Sequence, residues 1–429
     1  SFDVFSQKVM DYYPRLKAAH SNVEIALAQK MQAEAGFWPS LGLSAGYRVS
    51  NEPVDVFGML LRQERFTSAD FDLKRLNNPD RHQDFSVGLH AEFPLFDALQ
   101  TIGRTRAARE NLKAAETDAA FTGMEALLIA EDAYLSAVAL ETLSTIVDEV
   151  RQSSDEDLKK ATDLKDRGMI QGADYYSARV MFGDLTRTKN EIRCQKKAMR
   201  ALLNILMGEP ANKEWTLSTS LEEGVLSSPD TAALMDAAFE GRPDLQALDA
   251  REKALEAELS REGSTSLPNV NLFADATNDR DRIRSTGGSN YMVGVKVGVP
   301  LFDPSKKGRV EEARDRKERM AQDIQRFKDT VRRDIVEAAA RHEALRENLP
   351  LLKAMTEDAK EALSLVLPLY NEGRKSIADV LEVRQAYLRS AEGYARAVME
   401  VWTSEARLLF LTGRLNRETM NTLAREGSF

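Results

Sequence analysis

Groups able to do covalent or metal chemistry are few in this sequence and do not cluster. The four histidines, His20, His82, His90 and His342, fall at no spacing that a metal site uses. Cys194 is the only cysteine, so it has no second thiol for a metal pair or an internal disulfide. There is no phosphate-cradling glycine loop; Gly287-Gly288 stands between two stretches of strand-like sequence, where a hairpin turn is expected. An enzyme needs reactive groups that converge, so no catalytic residue, metal or cofactor is assigned and the chain is read as a non-enzyme. Charge narrows the partners. Lys and Arg number 59 against 68 Asp and Glu, a net charge of -9, whereas a nucleic-acid binder needs a clustered positive face; nucleic acid is excluded. No run of about 18 apolar residues is present, which excludes a membrane-spanning helix but not a β-barrel, whose alternating strands barely register in hydropathy. Ser1 is not an initiator Met and no basic, apolar signal segment comes after it, as expected of a mature or trimmed product.

With so little chemistry on offer, function has to come from architecture, and the architecture is repeated. Tyr13-Pro14-Arg15-Leu16-Lys17-Ala18 matches Arg242-Pro243-Asp244-Leu245-Gln246-Ala247, and Pro39 matches Pro268 at the same offset. Phe93-Pro94-Leu95-Phe96-Asp97 then matches Val299-Pro300-Leu301-Phe302-Asp303 at a shorter offset, so the first copy carries 23 additional residues between its prolines. Gly168 and Asp174 match Gly373 and Asp379, and Met207-Gly208 matches Thr412-Gly413. The chain is two copies of one supersecondary unit.

Each copy reads as helix, strand, strand, long helix, shorter helix. Leu41, Leu43, Ala45, Tyr47 and Val49 alternate with Gly42, Ser44, Gly46, Arg48 and Ser50, which is the period of a strand with unlike faces. The same alternation runs from Phe85 to Phe93 and from Tyr291 to Val299, and more weakly from Val270 to Ala276, where Phe273 breaks it. Four strands of about ten residues have the length that a tilted strand needs to cross a bilayer. Pro94 and Pro300 are expected to end their strands, with Asp97 and Asp303 capping the long helices and Pro304 at a first helical position. Two stretches rich in Ala, Glu, Lys, Arg and Leu, about 98–166 and 305–367, are read as helices without a breaker. At 1.5 Å per residue each would be about 100 Å long, too long for a compact domain to bury. Met320, Ile324, Phe327, Val331, Ile335, Ala338, His342, Leu345, Leu349 and Leu352 form a heptad pattern with one stutter. On the returning helix Val380, Tyr387, Tyr394, Val401 and Leu408 are accompanied by Leu381, Leu388, Ala395, Trp402 and Leu409, an apolar face wider than one two-stranded seam; Arg384 interrupts a third row. Ala178, Leu185, Ile192, Met199 and Leu206 form a heptad on the equivalent helix of the first copy.

Tandem strand hairpins flanked by prolines, Pro94-Leu95-Phe96-Asp97 and Pro300-Leu301-Phe302-Asp303 opening long helices, and turns at Gly168 and Gly373 together resemble the TolC-like outer-membrane factors over nearly the whole chain. The resemblance implies a mainly α protomer with a membrane β segment, three copies of which form a 12-stranded β-barrel continued by a long α-helical barrel through the periplasm. The divisions expected are a first repeat at 1–208 (hairpin 40–96, long helix about 98–166, helix about 174–207), an equatorial segment at 209–241, a second repeat at 242–413 (hairpin 269–302, long helix about 305–367, helix about 377–411) and a C-terminal equatorial segment at 414–429. The implied setting is the outer membrane of a Gram-negative bacterium. The implied partners are outer-membrane lipid, a homotrimer, a periplasmic adaptor and an inner-membrane RND or ABC pump. A soluble periplasmic coiled-coil scaffold is the alternative.

The same resemblance places a gate at the periplasmic tip, with Tyr370, Gly373, Lys375, Asp379 and Glu382 on the second turn, and Gly168 and the partner carboxylate Asp174 on the first. Lys375 stands where arginine is common and Glu382 where a second aspartate is, which keeps the signs but loosens the geometry. Solvated turn residues and helix-start acids are the plainer reading of the same positions. The enlarged loop at about 51–84, with its apolar Val54 to Leu61 stretch, either covers the barrel mouth, contacts a partner or packs locally.

Overall fold

The computed structural model describes residues 1–217 and 230–426. Parts of both equatorial segments, 218–229 and 427–429, lie outside the described residues. Helices α1 (Phe2–Tyr12) and α2 (Pro14–Glu34) lead into strand β1 (Ser40–Ser50); α3 (Pro53–Arg62) and α4 (Leu73–Asn77) precede β2 (His82–Asp97), and α5 (Gln100–Asp166) and α6 (Gly172–Leu206) complete the first copy. Helix α7 (Thr231–Gly241) closes the segment between the copies, and the second copy runs α8 (Pro243–Gly263), β3 (Asn269–Arg280), β4 (Gly288–Gly298), α9 (Ser305–Asn371) and α10 (Ile377–Leu411), with α11 (Arg417–Glu426) after it. Equivalent helices match residue for residue in length, 67 for α5 and α9 and 35 for α6 and α10. All four long helices of the copies end in the same way, on a glycine in the left-handed region: Gly168, Gly208, Gly373 and Gly413 have φ between 70° and 74°. At each, the amide after the glycine reaches back to a carbonyl five residues earlier, as Met169 to Leu164 at 2.8 Å and Arg374 to Leu369 at 2.9 Å, which satisfies the helix-end carbonyls.

Two expectations about prolines are corrected. Pro94 does not end β2; the strand continues to Asp97 with an irregularity between Pro94 and Phe96, because Pro94 faces Asn271 where a bulge absorbs its missing donor. Nor is α9 free of breakers or finished at Leu367: it carries Pro350 and Pro368 and runs to Asn371. Pro350 and Arg346, whose carbonyl loses its partner, are both exposed, so water can replace the bond.

The chain divides into two compact units, each drawing on both copies. The first, Ser1–Val23, Ala115–Leu248 and Asp323–Phe429, has only helices as regular elements among its described residues. Its core joins Phe2 and Phe5 of α1, Tyr134 and Leu135 of α5, Ile335 of α9 and Trp402 of α10. The Asp3 carboxylate accepts from Arg417 (2.9 Å) and Asn421 (2.8 Å), tying α11 to α1. Asn204 holds the segment after α6 in place, donating to the Ala211 and Lys213 carbonyls and accepting from Trp215. The wide face of α10 is buried at Ile377, Val380, Ala391, Ala395, Val398, Val401 and Trp402, and Arg384, read as an interruption, is buried with them at 1% exposure.

The second unit, Glu24–Ala114 and Asp249–Gln322, holds one antiparallel sheet in the order β1-β2-β3-β4, so β1 and β4 are free edges. Leu43 pairs with Leu89, Leu89 with Ala276 and Ala276 with Tyr291, which gathers the apolar positions of all four strands on one face. That face is uncovered: Leu41, Leu43, Tyr291, Val293 and Val297 are 72%, 78%, 86%, 64% and 61% exposed. Phe273, which broke the alternation, lies on the other face over Gly294, where an added Cβ would stand 2.7 Å from its ring. The strand-to-helix junctions differ by one residue, since α5 begins three positions after Asp97 and α9 two after Asp303; Asp97 accepts from the Thr101 amide and Asp303 from the Ser305 amide. The first copy absorbs its extra residue with Ala98 and Leu99 in the left-handed region at φ 57° and 63°, at a cost of about 1 to 2 kcal/mol each.

Candidate functional site

In the helical unit the turns after α5 and α9 come to the same end, where the Lys160 ammonium donates to Asn371 and a small core of Ala178, Val366, Ile377 and Val380 closes under both. Ser376 is the N-cap of α10 and forms a full capping box with Asp379. The Asp379 amide donates to Ser376 Oγ (3.2 Å), and the Ser376 amide donates to Asp379 Oδ2 (2.8 Å). Lys375 Nζ lies 3.2 Å from the other carboxylate oxygen. The Ser376 amide and hydroxyl, followed by Lys375, hold the Asp379 carboxyl below its ordinary range. Gly373 makes the turn possible and is exposed, as is Gly168. Glu382 is exposed on the first turns of α10, facing a groove shared with α5 and α6.

Tyr370 is half-buried, and its hydroxyl oxygen is shut off from water with no hydrogen-bond partner. Burial, then the charges of Asp157 and Asp174, push its phenol up, against the opposing effect of Arg384. The Asp174 charge thus reaches Tyr370, while Lys375 and Asp379 pair on the exposed turn and Glu382 is exposed beyond it. Asp174 lies in the first turn of α6, whose N-cap, Gln171, makes no side-chain cap bond.

The charge centre of this end is the residue that periodicity reads only as an interruption. Arg384 donates to Ser154 Oγ and Ser153 Oγ, both at 2.7 Å, and its guanidinium is 2.6 Å from the Asp157 carboxylate, itself nearly buried. Burial lowers the Arg384 pKa and the Asp157 charge counters it. Its signal in the sequence was a charged residue at a heptad position that is otherwise apolar.

Residues 6–208 and 234–414 match the outer membrane efflux protein family. The chain belongs to that family. Among characterised relatives, the outer membrane efflux protein BepC of Brucella suis is 22% identical over 88% of this chain and 82% of its own length. The pyoverdine export outer membrane protein OpmQ of Pseudomonas aeruginosa is 23% identical over 91% and 83%. Among solved structures, the Campylobacter jejuni CmeC outer membrane channel superposes with a TM-score of 0.82 at 16% identity, over 99% of this chain and 89% of that one. The fold is thus TolC-like and mainly α, and membership of the efflux family makes the protein an outer-membrane efflux channel component rather than an enzyme. For an efflux channel the uncovered apolar sheet face has a direct use, since the outer membrane is the solvent that covers it. Among the described residues no helix is long and apolar enough to cross a membrane.

Proposed function

We propose that three copies of this chain close a 12-stranded barrel and form the passive outer-membrane duct of a tripartite efflux or type I secretion system. The observation that carries this reading is the four-stranded sheet with two free edges and an exposed apolar face. One chain has too few strands to close a barrel, and in lipid an open edge leaves unpaired amides and carbonyls at several kcal/mol each. In detergent the protein is expected to run as a trimer of 47.9 kDa chains with bound detergent. A monodisperse monomer that stays soluble without detergent would end the reading.

The turn cluster is proposed as the duct's periplasmic gate, opened by an adaptor and an inner-membrane RND or ABC pump. In a trimer Asp379 and Glu382 would each occur three times around one axis, a ring that favours cations and that salt screens. Because Lys375 and the Ser376 cap already occupy Asp379, exposed Glu382 carries more of the ring's free charge. Glu382→Ala therefore lowers cation preference in planar bilayers more than Asp379→Ala does, while replacing Tyr370 and Lys375 raises conductance with less change in selectivity. Wild-type conductance and selectivity in the Asp379, Glu382 double variant would return these residues to plain helix-start acids. Co-purification of the adaptor with a proton-driven or an ATP-driven pump separates the two pump classes.

A further inference from the structure

The segment between β1 and β2, far longer than the 281–287 connection of the second copy, is not a free loop. Its helix α3 begins with Glu52 accepting from the Asp55 amide, with Pro53 at the first position, and buries Val56 and Met59 on its underside. The residues that receive it belong to one face of the sheet. Gln63 donates to the Gln83 carbonyl (3.0 Å) and to Asp84 (2.9 Å). Arg62 lies 3.9 Å from Asp279, and its carbonyl accepts from Asn290 (3.2 Å). Gly288 passes so close under the Arg62 carbonyl that an added Cβ would stand 2.0 Å from it. Arg65 pairs with Asp281 at 2.7 Å, and Arg48 reaches both Asp55 and Asp84. By strand alternation and register, Arg48, Asp84, Asp279, Gly288 and Asn290 all lie on the polar face, opposite Leu43, Leu89 and Val293. Asp84 and Asp279 are 1% and 3% exposed, so α3 covers this face rather than hovering beyond the strand ends.

We propose that residues 51–81 form a collar inside the outer mouth of the duct, strapped across all four strands from the lumen side, and that this collar limits the size of solute that passes. The inference rests on the duct reading, in which the apolar face meets lipid and the polar face meets water. Beyond the collar the polar face is open, with Met292 56% exposed.

The test places a thiol at Met292→Cys in a Cys194→Ser background and adds maleimide reagents of graded size to intact cells. A small maleimide is expected to label Met292→Cys, and the largest polymer-linked maleimides are expected to be excluded. Replacing residues 54–79 by a short turn takes labelling by the large reagents from absent to complete, and Arg62→Ala with Arg65→Ala moves it the same way to a lesser extent. Ile283→Cys, outside the collar and 69% exposed, takes every reagent in all backgrounds. If the largest reagents label Met292→Cys with residues 51–81 intact, the collar is overturned and the duct stands. If the small reagent fails as well, the polar face is no water-filled lumen, and the duct reading falls together with the collar.

Discussion

The two copies share helix lengths and glycine helix ends, yet they treat equivalent charges in opposite ways. Arg384 in α10 is buried at 1% exposure against Asp157, whereas its counterpart in α6, Arg179, is exposed and lies 5.8 Å from the Tyr175 ring. The long helices explain the difference: α5 offers Ser153, Ser154 and Asp157, and α9 has Ala362 at the position equivalent to Asp157. At the turn itself, Ser376 caps α10 while Gln171 leaves α6 uncapped. Duplication supplied one scaffold, and divergence at a few positions made one turn a pinned post and left the other loosely tied.

The largest effect expected from breaking this asymmetry is at the buried pair. Arg384→Ala strands a buried Asp157 and costs about 3 to 5 kcal/mol, whereas Arg179→Ala stays within about 0.5 kcal/mol. Hydrogen exchange of amides around Asp157 and Arg384, with denaturant midpoints in detergent, checks both; equal effects would mean that the turns are held alike. In the sheet, where both copies contribute to one apolar face, Val295→Arg costs about 2 to 4 kcal/mol near the bilayer midplane and Ser44→Arg on the opposite face less. Refolding equilibria in lipid vesicles measure this. Gly294, otherwise a polar-face control, is unsuitable because the Phe273 ring fills the space above it.

Smaller effects test the caps. Ser376→Ala destabilises the start of α10 by about 1 kcal/mol, and Gln171→Ser, which supplies the missing cap to α6, gains a similar amount or less. Thermal unfolding of the two variants should move in opposite directions. The smallest effect is in pH. Because the folded Asp379 carboxyl lies below its unfolded value of 3.8, its contribution is complete above that value and disappears as pH falls through the depressed one. Amide exchange at 376–380 should therefore accelerate only in strong acid, while the uncapped turn at 171–175 shows no such step.

How much of the molecule is legible in its sequence depends on the range of the forces involved. Strand alternation in Leu41 to Ser50, the heptads of α6 and α10, and the glycines at 168, 208, 373 and 413 are local patterns tied to backbone geometry, so the sequence alone located the elements, their repetition and the uncovered face they imply. At the turn, the sequence marked Asp379 as a helix-start acid, whereas the Ser376 capping box and the Lys375 contact came only with the folded chain. Other features were not written locally. That Arg384 continues an apolar face, by finding Asp157 on a helix more than 200 positions earlier, depends on a long-range pairing that periodicity reads as an interruption. That α9 tolerates Pro350 depends on which side of the helix meets water. Whether the loop after β1 hangs free or straps the sheet was decided by Gln63, Arg62 and Arg65 meeting acids and backbone from both hairpins. Propensity and pattern act between neighbours and specify elements; burial of charge needs partners that only the folded chain brings within reach.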